Sequence, residues 1–185
     1  MIKIDNISFG YGDKLVFKDF SLTIGKNEKI CLFGESGCGK TTLLRLISGL
    51  EKPQKGKIVK KSGKASVVFQ ENLLLPFKTV LENITLMGAD KETALFHLNG
   101  LGISDCAESL PDSLSGGMQR RVAIARALAN EFDFLILDEP FTGLDEENIK
   151  SAAEHILDTV KDKPIILVTH STSEAELLKT KIIKL

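Results

Sequence analysis

Residues 34–41 read Gly34-Glu35-Ser36-Gly37-Cys38-Gly39-Lys40-Thr41, after the short apolar run Lys29–Phe33 and before an apolar-periodic stretch from Thr42 to Leu50. This is the pattern G-x-x-x-x-G-K-[ST] in a strand–loop–helix setting, and few features restrict a fold as tightly. The glycines let the backbone curl until successive N–H groups face one concavity, a nest for anionic oxygens. A helix opening near Lys40 adds its positive N-terminal end. Lys40 brings a mobile point charge suited to outer phosphates. The Thr41 hydroxyl suits Mg²⁺, which takes oxygen ligands and keeps most of its waters. Gly34, Glu35, Ser36, Gly37, Cys38, Gly39, Lys40, Thr41 and Thr42 are therefore the candidate phosphate-binding residues.

Around that loop the apolar period switches between two and 3.6 residues. Residues 2–9 and Asp19–Ile24 read as antiparallel strands about a turn at Gly10–Asp13, and 29–33 as the strand feeding the loop. In Thr42–Leu50, Leu43, Leu44, Leu46, Ile47 and Leu50 make a helical stripe, with Gly49 near its end. A turn at Pro53–Gly56 and a short strand at Ala65–Phe69 follow. From Glu71 to Leu114 the pattern is helical, at Val80–Met87 and Lys91–Leu101, broken by Pro76, Gly88, Gly100 and Gly102. A loop at Ser113–Gly117 leads into a long helix at Met118–Ala129. Then come strand Phe132–Leu137, helix Glu146–Val160, strand Ile165–Thr169, a helix at 174–179 and a last strand at Lys181–Leu185. Strands alternating with helices predict an α/β fold, a P-loop core whose mostly parallel sheet is flanked by helices. The 185 residues suffice for one domain and not for two full enzymatic ones. Residues 1–70 and 116–185 would form the core with an N-terminal antiparallel β subdomain, and 71–115 a helical insertion.

A second chemical element is Phe134-Leu135-Ile136-Leu137 running into Asp138-Glu139. This reads as a buried strand delivering two carboxylates at its carboxyl end, where open α/β sheets bind ligands. Asp138 would hold Mg²⁺ through a water. Glu139, facing the other way, would polarise an attacking water.

Composition narrows the partners. Net charge is −1, with 43% hydrophobic and 26% charged residues, so no whole-molecule field points to nucleic acid. The lysines of 52–64, with Lys60-Lys61 adjacent, read as a solvated turn rim. Cys31, Cys38 and Cys106 are an odd count without metal spacing, as in a reducing compartment. Cys31 reads as a small core residue, and Cys38 as a neutral filler of the phosphate loop. The N-terminus has no signal-peptide apolar region, and no apolar run approaches the roughly 18 residues of a membrane span. Work at a membrane would need another chain to cross it.

Leu114-Ser115-Gly116-Gly117-Met118-Gln119 resembles the signature motif of ATP-binding cassette (ABC) ATPases, placed as in that family before a long helix and upstream of the Asp-Glu strand. In the family this motif binds the γ-phosphate of ATP held by the other subunit, and its Ser hydroxyl, Gly amides and helix N-terminus suit that task. Further positions match the family in order along essentially the whole chain. Gln70 matches the Q-loop glutamine, a Mg²⁺ and water ligand. Gly143-Leu144-Asp145 matches the D-loop, which crosses the dimer interface at Asp145. His170 matches the switch histidine. Tyr11 matches the aromatic that stacks on adenine, with Phe9 and Phe17 as alternatives. The stretch from Leu73 to Ile84, with its Leu75-Pro76-Phe77, is similar to bacterial importer ATPases of the nitrate, sulfonate and taurine type.

The resemblance implies an ATP-hydrolysing subunit using ATP and Mg²⁺, with Glu139, His170 and Lys40 catalytic and Thr41, Gln70 and Asp138 around the metal. It implies a homodimer on ATP binding and a separate integral membrane transport subunit. An extracytoplasmic binding protein would join through the full transporter, and no direct nucleic-acid contact is expected. The location implied is cytoplasmic, peripheral on the inner face of the plasma membrane. The rival reading is a soluble ABC ATPase serving iron–sulfur assembly or acting as a ribosome or nucleic-acid switch. The chain departs from the family pattern in places. Arg120 stands where a glutamine is usual, Gln119 coming one residue earlier, and Ser171 stands where an acid usually follows the histidine. The sequence closes on the last expected core strand, which predicts no regulation through a C-terminal extension.

Overall fold

A computed structural model describes residues 1–60 and 63–185. The chain runs β1 (Ile2–Tyr11), β2 (Lys14–Ile24), β3 (Lys29–Phe33), α1 (Lys40–Ser48), β4 (Lys55–Lys60), β5 (Ala65–Val68), α2 (Val80–Thr85) and α3 (Lys91–Gly100). It continues through α4 (Gly116–Leu128), β6 (Phe134–Asp138), α5 (Glu146–Val160), β7 (Ile165–Val168), α6 (Thr172–Leu177) and β8 (Lys181–Lys184). Among the described residues these strands form an antiparallel sheet, ordered β2-β1-β4, and a parallel one, ordered β5-β6-β7-β3-β8.

The parallel strands are apolar without alternation because both of their faces are covered. Successive side chains point to opposite faces, so each strand supplies two cores. Ile30, Leu32, Phe134, Ile136, Ile166 and Val168 join α1 and the antiparallel sheet in one cluster, with Leu43, Leu46, Ile47, Ile2, Ile4 and Ile7. Cys31, Leu135, Leu137, Ile165 and Leu167 join α4 and α5 in the other. Each large side chain so buried contributes about 1.5–3 kcal/mol. Burial pushes the Cys31 thiol up to about 11, as suits a core residue. Helix α4 is buried around most of its girth, at Val122, Ala123, Ile124, Ala125, Ala127 and Leu128, because the sheet lies on one side and the inserted helices on another.

The insertion between β5 and α4 is held locally. Thr79 and Glu82 form a reciprocal cap on α2. The buried Asn83 amide bonds the backbone of Leu75, Lys78 and Thr79 and so shapes the Leu-Pro-Phe turn. Helix α3 meets α5 through His97 Nδ1 and His155 Nε2, 2.9 Å apart, and burial holds the His97 imidazole down at about 4.

Three local expectations need correction. Strand β4 occupies residues where only the Pro53–Gly56 turn is expected. Its Lys-Gly-Lys-Ile-Val-Lys has no usable alternation, and the partner ladder decides it: Ile4 pairs with Ile58 and Ile2 with Lys60. Lysines are a usual defence of such an edge, and Lys60 is more than rim, since its Nζ donates to the Ile47 carbonyl at 2.9 Å. Lys61 lies outside the described residues. Strand β2 begins at Lys14 rather than Asp19. Helix α4 begins at Gly116, so Gly116 and Gly117 stand in its first turn and not in a loop, because Ser115 caps it by accepting from the Met118 N–H.

Candidate active site

A parallel sheet directs all its carboxyl ends to one edge, and four sequence-predicted elements meet there. The 34–39 loop leaves β3, Gln70 follows β5, Asp138 ends β6, and His170 follows β7. A cavity of about 350 Å³ joins Ser36, Lys40, Thr41, Gln70, Glu139 and His170. Tyr11, at the end of β1, lines its rim together with Lys14 and Val16, neither singled out from sequence. Tyr11 is exposed and packs edge-on against Phe9 at 5.1 Å between ring centroids. Phe17 is buried in the core.

Gly39 sits at φ 106, and a Cβ there would approach Phe17 and Val16 within 2.8 Å, so the loop's path requires glycine. As N-cap of α1 it offers no side-chain acceptor, which leaves the first amides free for an anion. Lys40 is 7% exposed. Its Nζ donates to the Gly34 carbonyl at 2.7 Å and the Glu35 carbonyl at 2.9 Å, with Cys38 Sγ 3.9 Å away. The ammonium is thus held across the loop it would serve.

Asp138 is 5% exposed. Burial pushes its carboxyl above the usual carboxylate range, opposed by the charges of Arg120 and Lys40 and by the Thr41 hydroxyl. Glu139 is also raised, chiefly by burial, with the His170 imidazole opposing. Glu139 Oε1 lies 3.3 Å from His170 Nε2. The backbone of Glu139 is left-handed at φ 49, a conformation costing a non-glycine residue about 1–3 kcal/mol. It is held there by its N–H donating to the Val168 carbonyl at 2.9 Å and by its own carbonyl accepting from Thr142 and Arg120. The hydroxyl of Thr41, the carboxylate of Asp138 and the amide of Gln70 are hard donors on one cavity, a set that fits Mg²⁺. Ser171, in place of the usual acid, caps α6 by accepting from Glu174 N–H.

The signature residues lie apart, around another cavity of about 560 Å³ with Thr142, Gly143 and Asp145. Ser115 and Gly116 are exposed. A Cβ on Gly117 would come 2.9 Å from the Gly143 carbonyl, so signature and D-loop touch through glycine backbone. Leu114 is buried, Met118 packs against the core, and Gln119 Nε2 turns back to the Pro111 and Leu114 carbonyls. Asp145 caps α5, accepting from Asn148 at 2.8 Å, which holds its carboxyl below the usual range. Gln70 borders both cavities.

Sequence reasoning left Arg120 as a mere departure. It is 2% exposed and donates to the carbonyls of Phe69, Gln70, Asp138, Glu139 and Pro140. The available signal was a charge on the same helical stripe as Ile124 and Leu128.

Comparison with known proteins gives a consistent set. The family model for the ABC transporter matches residues 17–142. An aliphatic sulfonates import ATP-binding protein of Rhodococcus jostii is 37% identical over 196 residues, covering 100% of this chain and 80% of that protein. A taurine import ATP-binding protein of Pseudomonas aeruginosa is 36% identical, covering 92% and 71% respectively. Among solved structures, a dimeric ATP-binding cassette in a post-hydrolysis state with ADP and Pi superposes with a TM-score of 0.89 at 30% identity, over 100% of this chain and 94% of that one.

Proposed function

The chain belongs to the ABC transporter family, and on that premise we propose that it is the ATP-hydrolysing subunit of a bacterial importer, working as an ATP-closed homodimer beneath a separate membrane subunit. The observation that carries this reading is the pairing, across one cavity, of a raised and half-enclosed Glu139 carboxylate with His170 at 3.3 Å, opposite Lys40 and Thr41. The 34–42 loop takes the phosphates on its amides, and Lys40 exchanges the Gly34 and Glu35 carbonyls for phosphate oxygens. Glu139 orients and polarises water for in-line attack on the γ-phosphate, and His170 holds Glu139 and the γ-phosphate in register. The work is positioning and charge stabilisation. Mg²⁺ held by Thr41, Asp138 and Gln70 would neutralise phosphate charge. Tyr11 stacks on the adenine. The second copy supplies Ser115–Gly117 and Asp145; the exposure of Ser115, Gly116 and Asp145 on a neighbouring cavity supports completion from outside.

Docking to a membrane subunit is supported by a cavity of about 550 Å³ lined by Leu73, Leu75, Leu86 and Met87, with exposed Phe77 nearby in sequence. With 71–115 taken as the helical insertion, that cavity lies between the insertion and the core, which contributes β5 and the end of α4 to it. Among the described residues no helix is long and apolar enough to cross a membrane, in keeping with a peripheral place on the inner face of the plasma membrane. The relatives' sulfonates and taurine are theirs; the cassette does not touch cargo in this scheme.

The test is an affinity isolation of tagged Glu139→Gln chain with ATP from detergent-solubilised native membranes. A stoichiometric multi-span partner is expected. Soluble partners alone, with ATP binding intact, would overturn transport in favour of a scaffold or ribosome-switch role.

A further inference from the structure

We propose that Arg120 is a positioning residue for hydrolysis, a joint that makes the Gln70 loop and the strained backbone of Glu139 move as one unit. The proposal rests on the role given to Glu139 above.

The fork of Arg120 reaches two segments, which leave the neighbouring parallel strands β5 and β6. Nη1 donates to the Phe69 carbonyl, to the Gln70 carbonyl at 3.2 Å and to Asn72 Oδ1 at 3.2 Å. Nη2 donates to the Asp138 carbonyl at 2.7 Å and to that of Glu139, while Nε donates to the Pro140 carbonyl at 2.9 Å. No carboxylate oxygen is among these partners. Here every N–H faces backbone carbonyls or an amide oxygen, and one of those carbonyls belongs to Glu139 in its left-handed conformation. Only a planar group with five donors can serve both segments at once: a lysine has one nitrogen and a glutamine two hydrogens.

The same loop is fastened to α4 again further on. Arg126 Nη1 donates to the Leu73 carbonyl and Nη2 to the Asn72 carbonyl, both at 2.8 Å. Arg126 and Leu73 line the cavity that also holds Leu75 and Met87. Residues 69–73 are thus tied to α4 from the apolar cavity to the backbone of Asp138 and Glu139, and Arg120 stands where that tie reaches the Glu139 carbonyl. Displacement of the loop from the cavity side would be passed to Glu139 through this guanidinium. Arg120 has no hydrogen bond to the 34–42 loop, so affinity for the nucleotide without Mg²⁺, which leaves Gln70 and Asp138 out of account, should be independent of it.

The experiment compares the full chain with Arg120→Lys, which keeps charge and loses the fork, and with Arg120→Met. We expect kcat to fall about tenfold or more in a folded Arg120→Lys chain while its Kd for ATP measured without Mg²⁺ stays within about twofold. Amide hydrogen exchange should quicken in 69–73 and 139–142 together. Wild-type kcat, or exchange that changes in one segment only, would overturn the joint. Parallel loss of ATP affinity, kcat and melting temperature would make Arg120 merely structural and overturn it too. Should Arg120→Met fail to fold, Arg120→Lys decides alone. A wild-type chain that binds ATP without hydrolysing it would refute the role of Glu139, and the exchange measurement would still judge the joint.

Discussion

Helices α1 and α4 both open on glycine-rich segments at a pole that favours anions, yet they are finished differently. The start of α1 has Gly39 as its cap and no side-chain acceptor, with Lys40 folded across the loop and Asp138 and Glu139 close by. The start of α4 is capped by its own Ser115, has no acidic residue in its first turn, and lies open beside Gly143 and Asp145. The first has the charges and buried carboxylates for a reaction; the second has donors and one exposed carboxylate, that of Asp145, already engaged by Asn148. A helix N-terminus alone binds weakly and chooses nothing. Chemistry enters where the fold adds a buried carboxylate and a mobile cation. In the proposed dimer the α4 surface becomes useful when the second copy brings the phosphate to it.

Breaking the richer side should cost most. Glu139→Gln should bind ATP and lose hydrolysis by about 10²–10⁴-fold, the scale of removing a general base, while trapping a dimer visible by light scattering. A monomer at saturating ATP would remove the two-copy site. Lys40→Ala should weaken ATP binding by about 10–100-fold, the worth of charge-assisted contacts to phosphate, as read by titration of a fluorescent nucleotide. Ser115→Arg strikes the other helix. Its Kd for ATP as a monomer should stay within about twofold, while closure and hydrolysis are lost. Mixing Lys40→Ala and Ser115→Arg chains gives the sharpest contrast: a mixed dimer keeps one site with both an intact Lys40 and an intact facing Ser115, so part of the activity should return. If mixing restores nothing, the two surfaces do not complete each other.

The smallest effect concerns stability. The folded carboxyl of Asp138 holds its proton to a higher pH than the unfolded one. The native state therefore binds more protons in the window between the two values, and stability falls as pH rises through it. Asp138→Asn should melt higher than the parent at pH 7 without nucleotide, by about 2–4 °C for each kcal/mol of relieved desolvation. The gain should vanish below the ordinary carboxylate range, where both chains are neutral. An unchanged difference across pH would show that desolvation of Asp138 is not the cause.

Much of the site was legible because its residues sit at fixed distances from strand ends. The 34–42 loop, Asp138, Glu139 and His170 each follow an apolar run, and a parallel sheet gathers such ends without further instruction. Strand β4 was illegible because its pairing with β1, not its own pattern, makes it a strand. The roles of Leu114 and Gln119 within the signature were blurred for a like reason: one is packed and the other spent on neighbouring carbonyls. Lys14 and Val16 came to the cavity rim because β2 begins earlier than its apolar alternation.

The sequence by itself determined the α/β class, the phosphate loop, the order of the candidate catalytic groups and the family, since these depend on local spacing and residue type. Tertiary structure alone decided that Lys40 rests on its own loop, that burial raises Asp138 and Glu139, and that Arg120 ties Gln70 to Glu139. The Lys40 bonds span 6 and 5 residues within one curled loop, the two carboxyls answer to desolvation, and the Arg120 bonds join residues 50 and 19 positions apart; none of these leaves a periodicity in a chain to be read.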